Sequence, residues 1–260
     1  MSDFLDVLAQ DSKQTVQDGY YQVEVSKTIE DKRHSFKKAI LGYVRNPVIA
    51  EVKLASPSKN TIRENIDVLD VASAMLRGGA VGLSVLTEPK HFKGSLENFS
   101  RIRESIDAPL LMKDFFVSSV QIDVASRLGA DAILLIQALF DRNYCDCNIN
   151  EMIMHAHTHG LEVLLETHNE DEFQKAITID ADMIGINNRD LRTLAVDLNV
   201  TQEILKKNVN CNRIIVSESG IESPEELRFL RNAGAKAFLV GTAVMSANNI
   251  EKKVRELMEA

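Results

Sequence analysis

Cysteine is scarce: Cys145, Cys147 and Cys211 are the only three in 260 residues. So few, so oddly placed, cannot frame a disulfide-stapled fold, and a reducing cytoplasm is the expected compartment. Long apolar runs are missing too. No stretch reaches the roughly 18 uncharged apolar residues that a membrane helix requires, and the N-terminus carries early acids in place of an export signal's apolar centre. Glycine and proline number only 12 and 5, which excludes collagen-like and low-complexity chains. Excess positive charge is absent as well. Thirty Lys plus Arg stand against 38 Asp plus Glu, a formal net of −8, which argues against broad binding to nucleic acid or anionic membrane. An anionic ligand therefore has to find a local basic pocket.

What is present is alternation. Eight short apolar, β-rich runs cover 48–53, 82–87, 110–113, 132–136, 161–166, 183–187, 214–219 and 237–241. Between them lie segments of helical period at 67–79, 95–106, 118–129, 149–160, 169–179, 197–208, 223–234 and 247–259. Many of these open on Asp, Ser or Asn and close on Gly, the residues that cap and stop helices. Near-continuous apolar strands need cover on both faces, so the sheet is parallel, and eight β–α units are what closes a (β/α)8 barrel. An open doubly wound sheet is the competing topology, but it favours a Gly-rich phosphate turn after the first strand, and the chain has no GxGxxG. The whole chain, 1–260, reads as one α/β domain, with residues 1–47 as a helical extension packed on the barrel. Within it, 30–40 has an amphipathic helical pattern.

In such a barrel the active site lies at the C-terminal ends of the strands. The residues found there are Glu51 and Lys53, Thr87 and Glu88, Lys113, Gln137, Glu166, Asn187, Glu218 with Ser219, and Gly241 with Thr242. Singly, each is an ordinary solvated loop residue. Among them Lys53 and Lys113 with Glu51, Glu166 and Glu218, meeting at one rim, must neutralise one another and shift each other's pKa values. Glu51 and Lys53 are two apart and share a strand face. The SESG turn at 217–220, followed by a Ser-Pro helix start, and the GTA turn at 241–243 sit where barrels of this kind hold phosphate. Cys145 and Cys147 with His155, His157 and His159 suggest a metal. Neighbouring members of that alternate-residue series point about 200° apart on a helix and cannot share one ion, so no metal is expected and the thiols are assigned to the solvent side.

The ordered stretches IAEVKLASPSK (49–59), LSVLTEPKHFKGS (83–95), KDF (113–115), LETH (165–168), IGINNRDL (184–191), SESGI (217–221) and LVG (239–241) make the chain resemble the indole-3-glycerol-phosphate synthase family of tryptophan biosynthesis. The resemblance implies ring closure of 1-(2-carboxyphenylamino)-1-deoxyribulose 5-phosphate with loss of carbon dioxide and water, and no cofactor. It implies Lys113 as principal general acid, Glu166 as the carboxylate serving the dehydration, and Lys53 as a contact for substrate anions and a second acid. Glu51 and Glu218 position the lysines, and Asn187 orients the anthranilate portion. Ser56, Arg189, Ser219, Gly220, Gly241 and Thr242 fall at substrate or phosphate positions, and Phe92 and Phe115 at the walls for the aromatic ring. The implied partner is a small phosphorylated substrate, and the implied assembly a monomer or weak homo-oligomer. Leu54, Ala55, Asn60, Ser118, Ser119 and Thr242 depart from common family residues, which touches loop motion and affinity more than reaction type. The alternatives are a related phosphate-binding barrel, such as a phosphoribosylanthranilate isomerase, and a noncatalytic barrel. Neither needs Lys53, Lys113 and Glu166 together.

Overall fold

The structure, a computed structural model, describes residues 3–23, 33–56, 59–61 and 66–260, with side chains for all of these except 56 and 59–61. Eight parallel strands close into a barrel: β1 Val48–Val52, β2 Gly82–Leu86, β3 Leu110–Lys113, β4 Ala132–Ile136, β5 Glu162–Thr167, β6 Met183–Asn187, β7 Ile215–Glu218 and β8 Ala237–Val240. Each pairs with its chain neighbours, and β8 returns to β1 with Phe238 beside Val48. The helices that cover the strands are α3 Val68–Arg77, α4 Leu96–Ser105, α5 Ser119–Arg127, α7 Ile149–Thr158, α8 Glu170–Ala176, α9 Asn199–Lys207, α10 Pro224–Ala233 and α12 Ile250–Met258. Two short helices, α6 Gln137–Asp141 and α11 Thr242–Ser246, follow β4 and β8 directly. A small hairpin of Ala55–Ser56 with Lys59–Thr61 follows β1.

Local chemistry explains the boundaries. Asp67, Ser95, Ser118, Asn148, Asn169, Ser223 and Asn249 each accept a main-chain N–H of the helix they precede. Gly79, Gly129, Gly160 and Gly234, just past helix ends, take positive φ between 69° and 117°, a region costly for other residues.

Successive strand residues alternate between two hydrophobic layers. Val48, Val52, Val85 and Met112 pack outward against helix residues such as Phe99 and Val254. Ile49, Leu111, Leu164 and Val216 belong to a second cluster inside the barrel. Two residues beyond each of these four, on the same strand face, stand Glu51, Lys113, Glu166 and Glu218. The odd-numbered strands thus supply an apolar layer and then a charged one, four side chains from alternate strands as barrel packing requires.

The N-terminal segment closes both ends. Helix α1, Phe4–Gln17, opens on an Asp3–Asp6 capping box and adds Leu5 and Leu8 to the inner cluster. Arg142 holds Asp3 at 2.7 Å and Asp6 at 2.8 Å, and the Ser12 hydroxyl donates to the Phe115 carbonyl at 2.6 Å. At the opposite end, Phe36 of α2, Phe36–Gly42, fills the space over Gly82. The helical pattern over 30–40 is corrected here: the helix starts at Phe36, because Ser35 caps it by accepting from Lys38 N, and residues 30–32 lie outside the described ones. His34 N instead donates to Asp131 at 2.6 Å.

Asp131, just before β4, also accepts from Leu110 N at 2.8 Å and from Arg103 at 2.9 Å. The Arg103 and Asp131 side chains are 1% and 0% exposed, so this ion pair is fully desolvated. Removing one member of such a pair strands the other. Arg103→Met is expected to cost about 3–5 kcal/mol of stability, read as a lowered urea midpoint with unchanged slope.

Candidate active site

The charged layer encloses one ammonium group. Lys113, last residue of β3, places Nζ 3.3 Å from Glu166 Oε2 and 3.2 Å from Glu218 Oε2, and donates to both. Its side chain is 17% exposed, while those of Glu166 and Glu218 are 3% and 2% exposed. Burial works against charge on Lys113, but Glu218, Glu166 and Glu51 outweigh it and push its pKa up. The two carboxylates diverge. Burial favours protonated Glu166, yet Lys113, His168 and Asn187 overcome that and hold it well below the usual carboxylate range. Burial of Glu218, with Glu166 and Glu51 nearby, exceeds the pull of Lys113 and raises it to about 7. Glu218 Oε1 is buried without a hydrogen-bond partner among the described residues, which also disfavours the anion. Beside this trio, Lys53 Nζ lies 2.6 Å from Glu51 Oε1, the shared strand face made into an ion pair.

Two missing side chains make room for these acids. A Cβ on Gly185 would lie 2.1 Å from Glu218 Oε1, and one on Gly241 would lie 2.3 Å from Glu51 Oε1. Asn187, at the end of β6, accepts Arg189 N at 3.0 Å and hydrogen-bonds Glu166. Above the charges opens a cavity of about 270 Å³. Phe92 and Phe115 form one wall, ring centroids 5.9 Å apart, with Phe4 and Leu8 of α1 alongside. Arg189, Ser219, Gly220, Gly241 and Thr242 line the same cavity. Ser219 and Gly220 take φ of 66° and 82°, so consecutive left-handed residues turn the chain at the end of β7.

A family model described as indole-3-glycerol phosphate synthase matches residues 5–257. The chain belongs to this family. Synthases of that name from Methanocaldococcus jannaschii and Bacillus cereus are 46% identical over 217 residues and 38% identical over 251 residues. Those alignments cover 83% and 96% of this chain and 79% and 96% of the relatives. A solved thiamine phosphate pyrophosphorylase from Pyrococcus furiosus shares the fold at a TM-score of 0.60 and 18% identity, covering 86% of this chain and 96% of its own.

The family resemblance and the geometry bring together the same residues, with exceptions. Ser56 has no described side chain, and residues 57 and 58 of the SPSK motif lie outside the described residues. Three polar strand ends do not join the cluster. Thr87 donates to Asp114 at 2.6 Å, Glu88 accepts the N–H groups of Lys90, His91 and Phe92, and Gln137 binds Asp141. These groups shape loops instead of facing the cavity. At the Ser-Pro helix start, Ser223 and Glu226 form a capping box in which each side chain accepts the other's main-chain N–H. The thiols are not solvent-side: Cys145 and Cys147 are half-buried and pack on the core, and burial pushes them up to about 12 and about 11.

Sequence reasoning passed over His168, the last residue of LETH. Its Nε2 lies 3.0 Å from Glu166 Oε1 and its Nδ1 3.1 Å from Glu172 Oε2. Burial opposes charge on the imidazole, but the two carboxylates raise it to about 10, so it stands as a cation behind Glu166. The signal available was Glu172, four residues on, at the start of the next helix. Asn188 was also passed over. Its amide donates to Ser217 Oγ, Glu218 O and Ser219 O while its oxygen accepts from Thr201, which ties β6 and α9 to the end of β7.

Gly185→Ala tests the space reserved for Glu218. The added methyl has to displace the carboxylate, and a misplacement of about 1 Å at a reacting group costs on the order of 100-fold. Indole-forming kcat should fall by about that factor while far-UV circular dichroism stays that of the parent.

Proposed function

We propose that this chain closes the indole ring of its family's reaction, converting 1-(2-carboxyphenylamino)-1-deoxyribulose 5-phosphate to indole-3-glycerol phosphate, carbon dioxide and water. The carrying observation is the largely buried Lys113 ammonium within hydrogen-bonding distance of both Glu166 and Glu218, at the floor of a cavity walled by Phe92 and Phe115. In the first step the ring carbon bearing the carboxylate attacks the ketone carbon, and Lys113 delivers a proton to the developing alkoxide. The carboxylate then leaves as carbon dioxide and the ring regains aromaticity. In the second step Lys53, the second acid, gives the proton with which the hydroxyl departs as water, Glu166 takes up the proton lost from the adjacent carbon, and both lysines are reprotonated from solvent.

Electrostatics support the division of labour. The neighbours that keep Glu166 anionic leave it a base at neutral pH. Lys113 is held protonated at rest, and the upward shift of Glu218 weakens one of the two charges flanking it, which moderates the hold on its proton. Lys53, anchored by Glu51, is set to meet the substrate's anionic groups and to serve as a second acid. Asn187 steadies Glu166 and orients the anthranilate portion, and the aromatic wall takes its ring. Arg189, Ser56 and the turns at Ser219–Gly220 and Gly241–Thr242 are assigned to the sugar and phosphate end. This arrangement places cations where a chain of net charge −8 must receive an anionic substrate.

The same reading treats residues 1–260 as one domain working in the cytoplasm as a monomer or weak homo-oligomer, without cofactor. Among the described residues no helix is long and apolar enough to cross a membrane.

Incubating the purified chain with the carboxyphenylamino-deoxyribulose phosphate should generate indole fluorescence without added metal or nicotinamide. Lys113→Met should lower kcat by about 100- to 10,000-fold, the usual share of a positioned acid. No product from folded, substrate-binding protein would refute the activity, and wild-type kcat in Lys113→Met would refute the role.

A further inference from the structure

Away from the barrel mouth, three metal-ligating side chains converge between α5 and α7. His155 Nε2 lies 2.7 Å from Asp123 Oδ1, His159 Nε2 lies 3.5 Å from the same oxygen, and all three donor atoms fall within 4.8 Å of one another. The alternate-residue reading of the histidines missed this because the pair is spaced four apart. Residues i and i+4 lie on one helix face, and the rings stand 4.5 Å apart between centroids. His157, on another face, turns to Asp182 at 2.9 Å.

The hydrogen bonding sets the tautomer of His159. Its Nδ1 lies 2.9 Å from the His155 carbonyl oxygen, an acceptor only, so Nδ1 carries the hydrogen. In the neutral ring Nε2 then presents a lone pair toward the Asp123 carboxylate. Two acceptors facing each other at this range repel unless a cation lies between them. A carbonyl-bonded imidazole whose other nitrogen is aimed at a carboxylate oxygen is also the arrangement that orients metal ligands.

We infer that Asp123, His155 and His159 form a surface site for a divalent transition metal of the zinc class, which ties α5 to α7 outside the active site. Two imidazoles and one carboxylate suit zinc, cobalt or nickel and not magnesium or calcium. The 2.7 and 3.5 Å separations bracket the donor spacing of about 3.3 Å set by a tetrahedral ion about 2.0–2.1 Å from each ligand. The three side chains are between 34% and 45% exposed, so the ion can enter from solvent and water can take the fourth position. None of the three residues lines the active-site cavity.

The test is thermal unfolding of the full chain near pH 7.5 with zinc or magnesium chloride, beside His155→Ala and His159→Ala. Zinc at about one hundred times Kd should raise Tm by several degrees. Magnesium should have no effect, the zinc shift should vanish in both variants, and indole-forming kcat should stay at the parent value. Three outcomes would overturn the site: no zinc shift in the parent; a shift that survives in His159→Ala, which would place the ion elsewhere, such as on the thiols; or stability that follows pH but not zinc, which would make a proton the cation between His159 and Asp123.

Discussion

A charged amine can be kept out of water only where anions surround it, and the Lys113 ammonium is the group that sets this requirement at the barrel mouth. Glu166 and Glu218 each approach it to within 3.3 Å, and Glu51 adds its charge from β1. Three acids around one lysine overshoot neutrality. The excess is relieved from two sides: Lys53 pairs with Glu51, and His168 stands as a cation behind Glu166. Glu218 receives no such partner, and it is the carboxylate whose pKa climbs to about 7. One buried amine thus leads to a Glu166 held anionic and a Glu218 shifted toward its protonated form, the separation of acid and base that proton transfer in both directions requires.

The barrel makes this arrangement possible by geometry. Strands far apart in the chain present inward residues to one layer, so Glu51, Lys113, Glu166 and Glu218 come from four alternate strands without any long loop to position them. Rigid strands hold the groups, and glycine within β6 and just past β8 provides the volume. Gly185 and Gly241 occupy places where any side chain would collide with Glu218 or Glu51. Gly241 therefore has a steric duty to the acid layer besides its assigned place at the phosphate end. Helix α1 then roofs the apolar side of the cavity with Phe4 and Leu8, held by Arg142 and by Ser12 bonded to Phe115, so the extension is continuous with the site.

Much of this is visible in the residues alone, for identifiable reasons. The eight strands are apolar runs bounded by helix caps and glycines, and the period-2 pattern places Glu51 and Lys53 on one face. Helix α1 is harder to see because polar Ser12 and Thr15 sit among its buried positions and blur the apolar stripe. Helix α6 has five residues and no side-chain cap, so it leaves no boundary signal. Polar strand ends look alike in sequence, and only the fold separates Lys113, which faces the cavity, from Gln137, which binds its own helix. The charge on His168 and the protonation of Glu218 depend on burial and on partners brought from other strands, which no spacing rule conveys.

The central claim, that one of the two carboxylates around Lys113 gains and loses its proton near neutrality while the other stays ionised, is open to direct observation. Difference infrared spectroscopy across pH 5–9 should show a protonated carboxyl band that fades with a midpoint near 7 and is missing in Glu218→Gln. Asp114, raised by burial to about 6, supplies a second band that the variant keeps. A spectrum with no carboxyl titrating near 7, or a band there that Glu218→Gln leaves intact, would contradict the account.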